Sequence, residues 1–342
     1  MSTKKLSPLL LATALTGVFT LQADLFVTER YFETWAKVLR FDETTGEYLG
    51  ETKVPGEGLL GVTYGGKNFV YAVENTVGYG VIHRIDAVTG DYLGRVAGNR
   101  FIEFSIPPLF PIPTGLTIGP DGDLFLLSWQ WANLQVGKGQ VFRIDPETGE
   151  VVGNGPFIAA GAGGLLVGRD LEFQRKGNLF VADASQGVLE FDKDSGAFVR
   201  KVVSIGQYGL SRPEGLAFDR WGRLYVSDYN SGNVLRFATD GSFSDLFATT
   251  SLSLQDIEFG RDGDLYAIAA ITNTVVRIDG ETGAYLGEFT IDGAQYFRTT
   301  GTDLDSKFGP GGLAFAPVPE PANRVGWILA LATFASRRRV RA

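Results

Sequence analysis

The residues that could do chemistry in this sequence stand at equivalent positions of a repeated segment, each directly before an alternating apolar run that predicts a strand. They are Thr114, Arg169, Glu214 and Gln255, with Glu57 near the corresponding position of an earlier segment. Guanidinium, carboxylate and amide groups gathered in one ring would form a polar binding site, since each can hydrogen-bond a ligand. Arg169 and Glu214 could equally pair with each other. The spacing therefore predicts a polar ring and leaves its role open.

Aromatic side chains form a second candidate surface. Trp35, Trp129, Trp131 and Tyr296 fall in predicted loops, several of them in insertions that are longer than the other connections. Large rings with a polar group suit sugar faces and peptide surfaces. The alternative is that they pack loops onto the strands. The insertions run over residues 100–114, 129–139 and 291–311.

Catalysis by a nucleophile and a base finds little support. The sequence has no Cys and one His, whereas activated nucleophiles usually depend on a His, a Cys or both. His83 alternates with apolar neighbours, which predicts a position inside a sheet rather than in a site. The missing Cys also excludes disulfides and Cys-based metal sites.

A repeat explains why the candidate residues are equivalent. Each unit carries two alternating strand patterns, then two more joined by a turn of the form Asp-x-x-Thr-Gly or a close variant. Asp can bond the backbone two residues on, and Gly supplies the left-handed φ that such a hairpin turn requires. A period of 40 to 50 residues is typical of a propeller or a solenoid. Six turn glycines mark the units: Gly46, Gly90, Gly149, Gly196, Gly241 and Gly283.

The repeat predicts an all-β, six-bladed β-propeller over residues 24–316. The first unit lacks an inner strand, and a strand of that type, 312–316, follows the sixth unit. We expect it to pair with the strand that includes residues 25–27 and so to close the ring, which removes exposed sheet edges. Loops into the inner strands would share one face, the long-loop face, with the loops between second and third strands.

The N-terminal residues predict export. Lys4 and Lys5 precede an apolar run from Leu9 to Phe19, and Ala23 follows it. This order is typical of a signal peptide, here 1–23, and the run is short for a membrane span. Net charge is -8, which argues against nucleic-acid binding.

The C-terminal residues 317–342 form a tripartite tail. Pro319, Glu320 and Pro321 precede an apolar segment, 325–336, and then Arg337, Arg338 and Arg339. This order resembles the PEP-CTERM sorting signal. The resemblance implies recognition by an exosortase-type transpeptidase, with the apolar segment in the inner membrane and the arginines on its cytoplasmic side. Arginines that flank an apolar helix hold that end inside.

The repeats include strand pairs such as GLAFDRWGRLYVSD from Gly215 and hairpins such as VFRIDPETGEVVG from Val141. They resemble NHL-repeat propellers and the related gluconolactonase superfamily. That resemblance implies a divalent metal at the channel, held by carboxylate and amide ligands. Glu57 and Glu214 fall near ligand positions and are weak metal candidates, whereas Arg169 and Gln255 do not match. An Arg in the ring would repel a cation and cannot act as a ligand.

The sequence thus leaves three hypotheses. The first is an exported protein of the cell envelope or extracellular space that binds a polysaccharide or protein on its long-loop face, with no cofactor. The alternative is a Ca²⁺-dependent hydrolase of the lactonase or esterase kind. A third is a structural spacer without a ligand. Propellers host many unrelated activities, so the fold does not choose among them.

Overall fold

The computed structural model describes residues 23–29, 35–56, 58–76, 79–96, 109–132, 135–290 and 310–317. These residues form 23 strands and two short 3-10 helices, Ala162–Gly164 and Gln207–Gly209. The strands are β1 (Ala23–Glu29), β2 (Trp35–Asp42), β3 (Tyr48–Pro55), β4 (Leu59–Tyr64), β5 (Phe69–Thr76), β6 (Tyr79–Asp86), β7 (Tyr92–Arg95), β8 (Leu109–Ile118), β9 (Leu124–Ala132), β10 (Gln135–Ile144), β11 (Gly168–Phe173), β12 (Leu179–Asp183), β13 (Gly187–Phe191), β14 (Phe198–Ser204), β15 (Pro213–Phe218), β16 (Leu224–Asp228), β17 (Asn233–Phe237), β18 (Phe243–Thr249), β19 (Leu254–Phe259), β20 (Leu265–Ala269), β21 (Thr274–Ile278), β22 (Tyr285–Glu288) and β23 (Pro310–Pro317).

The strands form six antiparallel sheets, which are the blades. From the channel outward, blade 1 holds β23, β1, β2 and β3, and blade 2 holds β4 to β7. Blade 3 holds β8 to β10, blade 4 β11 to β14, blade 5 β15 to β18 and blade 6 β19 to β22. In blade 3 the outer place is taken by two isolated bridges, Ile144 to Val151 and Val141 to Ile158. The inner strands contact one another in the order β4, β8, β11, β15, β19, β23 and back to β4.

Circular closure occurs in blade 1. β23 pairs antiparallel with β1, with Leu25 opposite Phe315 and Val27 opposite Leu313. The closing strand extends slightly beyond the predicted 312–316. The predicted fold, an all-β six-bladed propeller closed by its C-terminal strand, is therefore confirmed.

The repeated turn folds as its residues predict. In blade 3 the Asp145 Oδ1 accepts hydrogen bonds from the backbone N–H groups of Glu147 (2.8 Å) and Thr148 (2.9 Å). Gly149 has φ +73°, a value that a side chain would make costly. Equivalent turns begin with Asp42, Asp86, Asp192 and Asp279 in blades 1, 2, 4 and 6, whereas blade 5 has a shorter turn at Asp240 and Gly241.

The core lies between adjacent blades and contains one repeated aromatic cluster. Tyr225 of β16 packs edge-on against Phe247 of its own blade (4.9 Å) and against Phe259 of blade 6 (4.8 Å). Tyr266 makes the same contacts with Phe289 and Phe315. Because aromatic edge-to-face pairs add to the energy of burial, this cluster joins each blade to the next.

Alternation of strand direction gives the ring two distinct faces. One face, the long-loop face, carries the loops into the inner strands and the connections between second and third strands. The other, which we call the short-turn face, carries the connections between first and second strands and between third and fourth strands, such as 119–123 and 260–264. No helix in the described part of the chain is long and apolar enough to cross a bilayer.

Candidate binding site at the mouth of the central channel

The inner strands approach one another so closely that one layer of the channel favours glycine. A Cβ at Gly215 would lie 2.4 Å from the carbonyl oxygen of Gln255, and one at Gly312 would lie 3.0 Å from that of Leu60. Gly61 and Gly115 occupy the same layer in blades 2 and 3. The backbone itself therefore narrows the channel just below the long-loop face.

Four of the predicted ring residues meet at this constriction. A cavity of about 50 Å³ opens there. Glu57 lies outside the described residues, so its place in the ring stays a prediction. Two unpredicted carboxylates join the four, and the polar residues that line the cavity are Thr114, Arg169, Asp170, Glu214, Gln255 and Asp256.

Glu214 lies between two guanidinium groups. Its Oε1 accepts a hydrogen bond from Arg212 Nε at 2.7 Å, and Arg169 Nε lies 3.5 Å from the same oxygen. The Arg212 guanidinium also lies 4.3 Å from the centre of the Tyr229 ring. The Glu214 side chain is 11% exposed, so its charge is largely enclosed and is balanced by the two cations. Arg169 and Glu214 therefore pair, as one of the two sequence interpretations expected.

The other two ring residues take part in hydrogen bonds between neighbouring blades. Thr114 Oγ1 donates to the carbonyl oxygen of Gly168 at 2.9 Å. The carbonyl oxygen of Gln255 accepts from Ser227 Oγ at 2.7 Å, and the Gln255 residue is buried. These bonds cross between blades, so they fix the rim as one rigid structure.

The Asp228 carboxylate holds the loop that carries Arg212. Asp228, at the end of β16, accepts hydrogen bonds through Oδ2 from the backbone N–H groups of Ser211 and of Arg212, the second at 2.8 Å. Its Oδ1 accepts from the N–H of Asn230 at 3.0 Å. These bonds hold the pKa of Asp228 below its usual value despite burial. Asp183 makes the equivalent bonds in blade 4, so these acids support loops.

The channel below the mouth is lined by carboxylates. A cavity of about 260 Å³ lies there, and Asp170, Glu172, Asp256 and Glu258 line it. Asp170 Oδ2 accepts from Leu216 N–H in blade 5 (2.8 Å). Asp256 Oδ2 accepts in the same way from the backbone N–H of Leu313 in blade 1. Glu172 Oε2 accepts from the hydroxyl group of Thr117 in blade 3. These acids therefore link neighbouring inner strands.

Burial is the main cause of their altered acidity. It raises the pKa of Glu172 to about 7 and that of Asp256 to about 7. The pKa of Asp170 and of Glu258 is also well above its ordinary value, through burial first and the neighbouring carboxylates second. These four carboxyl groups therefore keep their protons to a higher pH than exposed carboxyl groups do.

A sequence signal for these acids exists but was missed. The inner strands of blades 2, 3, 5 and 1 read Gly-Val-Thr-Tyr, Gly-Leu-Thr-Ile, Gly-Leu-Ala-Phe and Gly-Leu-Ala-Phe, whereas blades 4 and 6 read Asp-Leu-Glu-Phe and Asp-Ile-Glu-Phe. In blades 4 and 6 an Asp stands where the other inner strands have Gly, and a Glu two residues later stands where they have Thr or Ala. These substitutions indicate the acidic wall of the channel. No group of three or more His, Asp or Glu side chains in the described ranges is arranged to hold a metal ion.

The aromatic surface is only partly described. Trp35 begins β2 and is 53% exposed on the long-loop face. Trp129 was predicted in a surface loop, but it lies in β9 and is 9% exposed, because residues 129–132 of β9 pair with β10 from Gln135 onward. Trp131 is also in β9, with its side chain outside the described part. Tyr296 lies outside the described residues. So do the predicted signal peptide and sorting tail, except for Ala23, which begins β1, and Pro317, which ends β23.

The single histidine has a structural position, as predicted. His83 lies in β6 and is fully buried. Its Nε2 is 3.2 Å from Glu74 Oε2, and its Nδ1 is 3.1 Å from the Tyr92 hydroxyl. Burial lowers the pKa of His83. The side chain of His83, in β6, therefore bonds side chains of both neighbouring strands, β5 and β7.

No protein-family model matches the sequence. No curated protein matches it either. Solved structures do: a chain of a nidogen/laminin complex has TM-score 0.62 and 14% identity, covering 86% of this chain and 98% of its own. A Bacteroides caccae protein of unknown function has TM-score 0.58 and 15% identity, with the same coverage of 86% and 98%.

A gluconolactonase from Xanthomonas campestris is also similar, with TM-score 0.49 and 16% identity over 69% of this chain and 76% of its own. The likenesses to the nidogen/laminin chain and to the Bacteroides caccae protein establish the fold alone. At such low identity they carry no residue roles.

Proposed function

We propose that the chain is an exported binding protein of the cell envelope that holds a polysaccharide at the mouth of its channel, on the long-loop face. The observation that carries this proposal is the charge cluster of Glu214 between Arg169 and Arg212. It offers fixed donors and acceptors side by side. Sugar hydroxyls suit such a site, because each can donate to a carboxylate while it accepts from a guanidinium.

Rigidity supports binding. The rim bonds of Thr114 and Gln255, and the support that Asp228 gives to Arg212, fix the polar groups before a ligand arrives. A preorganised site loses less entropy when it binds. The exposed indole of Trp35 on the same face adds an apolar surface of the kind that packs against sugar rings.

The same cluster supports binding over metal-dependent hydrolysis. Glu214 is the described carboxylate that the calcium hypothesis assigns to the metal. To bind Ca²⁺ it would have to leave a 2.7 Å pair with Arg212, and both guanidinium groups would repel the ion. The charge balance of the mouth therefore suits an uncharged, hydroxyl-rich ligand better than a cation.

Export and anchoring belong to the same proposal. Residues 1–23 direct secretion, and residues 317–342 hold the chain at the inner membrane until a transpeptidase of the exosortase kind processes the Pro319-Glu320-Pro321 segment. The support is the order of charged, apolar and small residues at each end. Cell fractionation with and without the tail tests this part.

Binding to a panel of neutral and acidic polysaccharides tests the mouth. We expect Arg212→Ala to weaken the affinity of the best ligand by about tenfold, since truncated central side chains often dominate an interface. Ile271→Ala, at an exposed position of the same face, is the matched control and should leave affinity unchanged. Equal affinities of the two variants would overturn the assignment of the site.

A further inference from the structure

Both ends of the described chain leave the ring at one place. Ala23, the first residue of β1, pairs with Pro317, the last residue of β23. Because β23 is the first strand and β1 the second strand of blade 1, this point lies on the short-turn face. The apolar segments that precede and follow the ring in sequence are therefore attached to the same face.

The length of the connection restricts where that attachment can lead. Seven residues, 318–324, separate β23 from the apolar segment that begins at residue 325. Fully extended, they reach at most roughly 25 Å. The closing strand has eight residues and spans roughly 26 Å along the height of the ring. The connection would therefore be used up before it reached the long-loop face.

We infer that, while the tail is inserted in a membrane, the ring presents its short-turn face to the bilayer and its channel mouth to the outside. This inference rests on the membrane anchoring in the proposed function and adds the orientation. It makes the short-turn face an interaction surface for phospholipid headgroups. The binding site at the mouth then stays accessible to an extracellular polymer.

The side chains of the short-turn face support this orientation. Trp221, in the turn between β15 and β16, is 58% exposed, where the equivalent turns of blades 3 and 6 carry Asp121 and Asp262. The Arg220 guanidinium lies 4.1 Å from its ring centre. Trp and Arg are favoured at the membrane interface, where one contacts the acyl boundary and the other the phosphates.

Two of the acidic residues beside Trp221 are paired with arginines, whereas Asp279 and Glu281 of the neighbouring turn add further carboxylates. Asp219 pairs with Arg223 at 2.5 Å. Asp262 pairs with Arg277 at 2.8 Å. These pairs lower the local negative charge that would repel anionic lipid, so the turn can lie against a headgroup layer.

Fluorophores on single cysteines test the orientation, and the absence of native Cys makes such labelling specific. Arg175→Cys places a label on the short-turn face, in the turn between β11 and β12. Ile271→Cys places one on the long-loop face, where Ile271 is 71% exposed. Each full-length variant is reconstituted into vesicles of phosphatidylethanolamine and phosphatidylglycerol that contain a headgroup-attached quencher lipid.

We expect the label at position 175 to be quenched about threefold more than that at 271, because the connection keeps the short-turn face near the headgroups. Equal quenching, or stronger quenching at 271, in chains that float with the vesicles would overturn the orientation and leave the anchoring intact. Failure of the chain to float with vesicles would overturn the anchoring, and the orientation with it.

Discussion

The mouth and the interior of the channel neutralise their acids in different ways, although the same inner strands build both. At the mouth, Glu214 is balanced by Arg212 and Arg169. A few residues further along the channel, Glu172 accepts a hydrogen bond from the Thr117 hydroxyl and Asp256 accepts one from the Leu313 N–H. Burial raises the pKa of both carboxyls to about 7. The carboxylate of Glu214 is therefore paired with guanidinium groups, whereas Glu172 and Asp256 gain their charge near neutrality.

This difference separates two roles of acidic residues in one wall. A carboxylate that is held by guanidinium groups can contact a ligand without a change in protonation. A carboxylate that bonds the backbone of the next blade, as Asp170 does with Leu216, holds the ring together at the cost of burying a charge. The comparison can be tested by removing acids from the support of the mouth, from the interior and from the mouth itself.

The largest effect is expected at the support of the mouth. Asp228→Ala removes the acceptor of the backbone N–H groups of Ser211, Arg212 and Asn230. We expect the free energy of unfolding to fall by about 3 kcal/mol, because several buried donors lose a charged partner. Urea denaturation measures the loss. Asp240→Ala, which affects one exposed turn, should cost much less, and a similar loss in both would contradict the special role of Asp228.

Removal of a carboxylate from the channel interior should stabilise the chain instead of destabilising it. The pKa of Glu172 is raised in the folded chain, so its contribution to stability is greatest below the pKa of the unfolded chain and is lost as the pH rises through about 7. Glu172→Gln keeps an acceptor for the Thr117 hydroxyl and removes the charge. We expect it to stabilise the chain by roughly 1 to 3 kcal/mol at pH 8.

The pH series supplies the control for this variant. The difference between Glu172→Gln and the parent chain should shrink when denaturation is repeated at pH 5, where the parent carboxyl is protonated. A variant that is less stable than the parent at pH 8 would show that the interior carboxylate is ion-paired after all.

At the mouth, removal of the acid should destabilise instead. Glu214→Gln leaves Arg169 and Arg212 facing each other without a counter-charge, so we expect a loss of about 1 kcal/mol of stability. Denaturation of Glu214→Gln and Glu172→Gln side by side shows whether each change raises or lowers the free energy of unfolding. A gain in stability for both would remove the distinction between mouth and interior.

The sequence predicts the ring well because the repeat is physically redundant. The Asp and Gly of the hairpin turns mark a turn between third and fourth strands six times. Because blade 1 lacks an inner strand in sequence order, the strand pattern at 312–316 is predicted to fill that position. The mouth was predicted in part, since Arg169 and Glu214 stand directly before inner strands. Arg212 was missed although it stands two residues before Glu214, because the backbone of Arg212 is held by Asp228, which lies 16 residues further along the chain.

The interior acids were missed for another reason. Asp170 and Asp256 read as ordinary members of the repeat unless the six inner strands are aligned position by position, which shows that each replaces a Gly. Trp129 was placed in a loop because the segment after it is long, but cross-strand pairing extends the hairpin through it. Length alone does not distinguish an irregular insertion from a longer pair of strands.

The smallest expected effect concerns metal. If the interior acids are neutralised by protons, removing divalent ions has nothing to release, so EDTA should shift the melting temperature by no more than about 1 °C, because ligand linkage vanishes without a bound ligand. Differential scanning fluorimetry at pH 6, below the raised pKa of Glu172 and Asp256, with EDTA and with added Ca²⁺, measures this. Asp256→Asn serves as the matched variant, since it removes a charge from both cavities. A rise of several degrees with Ca²⁺ that Asp256→Asn abolishes would favour the calcium-dependent alternative, because four ionised carboxylates in one channel can be stabilised by a cation as well as by protons.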